Sequence, residues 1–85
     1  MTMKDLVDAF EECKKYNLPI CVTLKLPDTP SNELIINPPD NFEKKLDYYK
    51  NMYDENLVNK NNYEIKIVNA FPIEFFLNSI DSESI

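Results

Sequence analysis

Eighty-five residues with a formal net charge of −6 leave room for one hydrophobic core and no second, because a chain this short hides only about 60–65% of the surface its unfolded form exposes. Hydrophobic residues at 44% and charged residues at 28% predict a compact globule rather than a disordered segment. The absence of His, Gly, Arg and Trp excludes an imidazole general base, glycine-dependent phosphate loops and the arginine fork that reads phosphate or guanine.

Nine lysines stand against fifteen acidic residues, so a polyanion is repelled and no direct contact with nucleic acid is expected. Cys13 and Cys21, eight residues apart in a chain with enough apolar material for a core, read as reduced thiols rather than a disulfide framework. The opening run Met1–Glu12 places acids before any apolar stretch, unlike a secretory signal, and no apolar run approaches membrane-spanning length. The expectation is a cytoplasmic protein without a membrane segment.

Met3, Leu6, Val7, Phe10 and Cys13 fall at helical spacing, with charged residues on the other face, and predict a helix from Met3 to Tyr16. Thr2 and Asp5 form a capping-box pattern; Asn17 can close the helix in the left-handed conformation and Pro19 forbids its continuation. In ICVTLKL, Ile20, Val22, Leu24 and Leu26 alternate with Cys21, Thr23 and Lys25, the pattern of a strand with one buried face. After PDTPSN, ELIIN supplies a second strand, antiparallel because so short a connection cannot make a parallel crossover. Asp40 and Glu43 suggest a second capping box, and Phe42, Leu46, Tyr49 and Tyr53 predict a helix running on toward Leu57. Tyr63, Ile65 and Ile67 alternate with Glu64, Lys66 and Val68 in a third strand.

The expected fold is therefore α+β, in the order α-β-β-α-β. A right-handed crossover sets the third strand beside the first, giving a three-stranded antiparallel sheet of order 2-1-3 with both helices on one face. The predicted core is Leu6, Val7, Phe10, Ile20, Val22, Leu24, Phe42, Leu46, Tyr49, Tyr53, Ile65 and Ile67. The opposite face is expected to show Cys21, Thr23, Lys25, Glu64 and Lys66 to water or a partner. Residues 1–70 form the domain, and 71–85 an apolar C-terminal segment ending in a short polar tail, whose spacing fits helix and strand equally.

No catalytic, cofactor or metal site emerges. The acids lie mainly on solvated helix faces, and Cys21 has no base to activate it. Two thiols without His cannot close a zinc site, and the acids lack the spacing of a calcium loop. The chain is expected not to be an enzyme. What remains is surface: Asp28, Glu33 and Asp40 lie in an acidic zone without lysine that suits a basic protein partner, and Tyr48 and Met52 flank the second helix's apolar stripe as contact residues. Phe71, Ile73, Phe75, Phe76, Leu77 and Ile80 crowd six apolar side chains into ten residues, more than so small a domain obviously covers, and are expected to join two chains as a homo-oligomer.

The runs LPICVTLKLP, ELIINPPDNFEKKLDYYKNMYDENL and YEIKIV, spanning residues 18–68, resemble small proteins carried by phages and prophages of low-GC Gram-positive bacteria. The resemblance implies a non-enzymatic binder that inhibits or regulates a host protein, nucleic-acid-binding or defence-related, and carries over no site residue. The alternative expectation is a homo-oligomeric phage accessory or structural protein associating through its C-terminal apolar segment.

Overall fold

The computed structural model describes residues 1–74. Helix α1 spans Met3–Lys15. Its capping box forms as the sequence suggests: the Thr2 amide donates to the Asp5 carboxylate at 2.8 Å while the Asp5 amide donates to the Thr2 hydroxyl at 3.3 Å. Those bonds favour the ionised carboxylate and hold the Asp5 pKa below its ordinary value. At the other end Asn17 takes φ 54°, and the amides of Asn17 and Leu18 donate to Lys14 and Cys13 at 3.2 and 2.9 Å. This is a Schellman closure, with Asn17 in the place usually held by glycine.

Strands β1 (Ile20–Lys25), β2 (Glu33–Asn37) and β3 (Lys66–Pro72) form an antiparallel sheet of order β2-β1-β3. Helix α2 spans Phe42–Met52 and completes the order α-β-β-α-β. Ile20, Val22 and Leu24 point to the helix-covered side, where they join Leu6, Phe10, Cys13, Phe42, Tyr49, Tyr53, Leu57 and Ile67 in one core. Phe10 of α1 meets the edge of Phe42 with ring centroids 5.1 Å apart and lies 6.2 Å from Tyr49, so aromatic contacts join the helices above the sheet.

Several boundaries differ from the sequence expectation. Helix α2 is preceded by a 3-10 turn, Pro39–Asn41, and begins without a side-chain cap, because the two prolines pre-set φ and the Asn41 amide bonds Pro38 instead. It stops at Met52 rather than near Leu57. Beyond it the Asp54 carboxylate accepts from the amides of Asn56 and Val58, and Asn59 and Asn62 make the same kind of local bond, so these side chains turn a glycine-free chain. These turns occupy residues 54–65, so β3 starts only at Lys66. Tyr63 is consequently exposed, Ile65 half-buried, and Glu64 lies outside the sheet. Strand β3 also runs past residue 70, taking Phe71 and Pro72 into the sheet.

Leu57 is absent from the predicted core, yet it is fully buried, at φ 62°, a conformation costly for a branched residue. Its carbonyl accepts from the Ile67 amide at 2.9 Å, tying the turn to β3. Val7 and Leu46, placed in the core by spacing, are half-buried. Replacing Leu57 or Leu24 by Ala should each destabilise the fold by about 2–5 kcal/mol in urea unfolding, a large part of what so small a domain possesses. An effect under about 1 kcal/mol at Leu57 would mean that it is not part of the core.

Candidate functional site

The face of the sheet that neither helix covers exposes large apolar side chains. Strand register places Ile36, Cys21 and Phe71 in one cross-strand row and Leu34, Thr23 and Asn69 in the next. Cys21 and Thr23, expected to show to water, are instead buried at 3% and 7% exposure. The large side chains beside them are the exposed ones: Leu34 61%, Ile36 60% and Phe71 41%. Two causes combine. Leu34, Ile35 and Ile36 are consecutive, so β2 must turn apolar side chains to both faces. The register shift between Thr23 and Leu24 makes room for one extra residue, Val68, and so brings Ala70 to the core and Phe71 to the open face. Of the charged residues expected here, Lys25 and Lys66 remain, directly opposite each other at the end nearest the β1–β2 turn.

The acidic residues do not gather into one patch. Asp28 sits in the β1–β2 turn at φ 63°, and Glu33 begins β2 at the same end of the sheet. Asp40 lies beyond the opposite end of β2, in the 3-10 turn. There it joins Glu11, Glu43 and Lys14 at the rim of a groove of about 410 Å³ between the two helices, floored by Phe10 and Phe42. Asp28, Glu33 and Asp40 are all exposed.

Tyr48 and Met52 lie on the side of α2 turned away from that groove, Tyr48 exposed and Met52 half-buried. The Lys45 ammonium lies 4.8 Å from the Tyr48 ring centroid and 5.2 Å from that of Tyr49, holding the flank by cation–π contact. Of the apolar C-terminal residues, Phe71 is on the open face and Ile73 is half-buried, its amide bonded to the Pro19 carbonyl at 3.0 Å. Phe75, Phe76, Leu77 and Ile80 lie outside the described residues.

Burial raises both thiols, Cys13 with added repulsion from Glu12 and Glu74, so the nucleophilic thiolate is disfavoured at each. Among the described residues no group of three or more His, Cys, Asp or Glu side chains is arranged to hold a metal ion, and no helix is long and apolar enough to cross a membrane. Tyr49 is the most perturbed side chain. Its hydroxyl is fully buried, and burial pushes its pKa well above the ordinary tyrosine value. The Tyr49 hydroxyl and the Asn37 amide nitrogen close no hydrogen bond with each other or with any other described group. Comparison with protein-family models, curated proteins and solved structures finds no match to this chain.

Tyr49 links stability to pH with a definite sign. Its folded-state pKa lies above the unfolded value near 10, so its contribution is complete below about pH 10 and is lost as pH rises beyond. Tyr49→Phe should leave stability at pH 7 nearly unchanged and make the alkaline decline shallower, though Tyr53, also raised by burial, keeps part of it. Urea unfolding between pH 7 and 11 checks this; an equally steep decline in the variant would place the ionisation elsewhere.

Proposed function

We propose that this chain is a non-enzymatic protein-binding module whose contact surface is the open face of its sheet. The observation that carries this reading is the exposure of Leu34 and Ile36 on β2 and of Phe71 on β3, on either side of Cys21 and Thr23, on the face opposite the helices. A contiguous apolar surface on so small a domain is expensive to leave in water and suits a partner that buries it. The surrounding charge supplies a second element. A net charge of −6 steers the chain toward basic proteins and away from polyanions, and Asp28, Glu33 and Asp40 contribute to that field from both ends of β2. In the phage or prophage setting that the sequence resemblance implies, the partner is a basic host protein, nucleic-acid-binding or defence-related, and binding inhibits or regulates it.

Affinity capture with the full chain, followed by kinetics on the purified partner, tests this. Phe71→Glu should weaken the complex at least tenfold, about 1.4 kcal/mol, by placing a charge in the contact. Neutralising the acids as Asp28→Asn, Glu33→Gln and Asp40→Asn should slow association and flatten its salt dependence with little change in dissociation. Asparagine is preferred at position 28 because it tolerates the positive φ there. Binding that survives Phe71→Glu unchanged would remove the open face from the reading, and an unchanged association rate in the neutralised variant would remove the steering.

A further inference from the structure

The two edges of the sheet are not alike. The outer side of β3 is guarded at its start: Val58 bridges Lys66, and the Ile67 amide donates to the Leu57 carbonyl. Further on, β3 carries the register shift and ends on Pro72, which has no amide to offer. Strand β2 has β1 on one side and, among the described residues, no partner on the other. It contains no proline, bulge or lysine, the usual protections of a free edge, and Pro30 and Pro38 stand only beyond its ends.

We propose that the outer edge of β2 pairs with β2 of a second copy of this chain, antiparallel about a two-fold axis at Ile35, joining two sheets into one of six strands. The occupant follows from the residues of the strand. Ile35 is the middle of five, so an axis through it pairs every residue: Ile35 with Ile35 of the partner, Leu34 with Ile36, and Glu33 with Asn37. No like charges stand opposite each other. On the open face the row Phe71–Cys21–Ile36 continues into the partner's Leu34, and exposed apolar side chains meet exposed apolar side chains. On the helix side the seam brings Ile35, which packs against the core, beside Ile35 of the second copy. Because β3 is guarded, the contact is isologous and closes at two copies rather than growing into a filament. A five-residue ladder with these flanks is a small interface, so the dimer is a weak, concentration-dependent one.

The inference stands apart from the proposed partner binding, since it concerns the chain alone and its measurement contains no other protein. Sedimentation equilibrium of the full chain over a concentration series should show a reversible monomer–dimer equilibrium that tightens with added salt, because salt screens two copies of charge −6 from each other. Two double variants at exposed positions test the register. Leu34→Lys with Ile36→Lys sets lysine against lysine across the seam and should weaken the dimer at least tenfold. Leu34→Lys with Ile36→Glu sets each lysine against the partner's glutamate and should retain it. Circular dichroism establishes that both variants are folded. A wild-type chain that stays monomeric at every concentration would overturn the proposal. So would a dimer indifferent to Lys/Lys, which would put the contact elsewhere, residues 75–85 included, or one lost equally in both variants, which would mean face-to-face stacking or another register.

Discussion

Strand β1 is buried on both faces, and the arrangement of every other element follows from that. Ile20, Val22 and Leu24 supply the floor on which the two helices pack, while Cys21 and Thr23 are enclosed within the opposite face. A strand so enclosed must be central, because an edge strand would leave some of these side chains and a row of its amides in water. Centrality requires a neighbour on each side. The short β1–β2 connection provides one, and the crossover through α2 provides the other. The helices then have only one face left to cover, and the open face is what remains when two helices are shared by a three-stranded sheet.

Building this without glycine imposes its own constraint. The chain takes positive φ at Asn17, Asp28 and Leu57. Asn and Asp reach that region at modest cost because their short polar side chains bond locally, and both stand in turns where no packing is at stake. Leu57 is different. A branched residue is held there because its side chain is fully buried and its carbonyl bonds β3, so tertiary burial offsets local strain. The segment that fixes the start of β3 is thus stabilised by the core it helps to close. This couples the turn after α2 to the register of the sheet.

That coupling explains which features were legible in the sequence. Helix α1, with its cap and its Asn17 closure, was readable because periodicity and end signals agree within sixteen residues. Sheet order was readable because connection lengths and handedness leave few alternatives. The register of β3 was not. Tyr63–Val68 alternates as well as Lys66–Pro72 does, and the choice between them is made by local bonds to Asp54, Asn59 and Asn62 that look like ordinary polar turn residues. The candidate surface was misread for the same reason. Lys25 and Lys66 stand on the open face as the alternation implies, but Glu64 falls outside the sheet and the shift at Val68 carries Phe71 there. Three consecutive apolar residues in ELIIN require an apolar side chain on each face whatever the register. The acidic zone was legible as composition, but its separation to the two ends of β2 was not.

The charges that do remain on the open face give it a direction. Lys25 and Lys66 are directly opposite on adjacent strands, an arrangement that costs stability through like-charge repulsion. Both are exposed, so water screens most of that cost, and neither supports the core. Their position is informative because they stop the apolar rows at the end nearest the β1–β2 turn, whereas the other end carries Ile36 and Phe71 with no charge between them. Stacking of two open faces in antiparallel orientation would bring the lysine end of one sheet over the apolar end of the other and bury ammonium groups against Phe71, at a desolvation cost that an apolar partner cannot return. Edge pairing through β2 leaves the lysines in water, at the two far ends of a doubled surface. The same pair that weakens one end of the sheet therefore disfavours indiscriminate face-to-face association of the apolar rows.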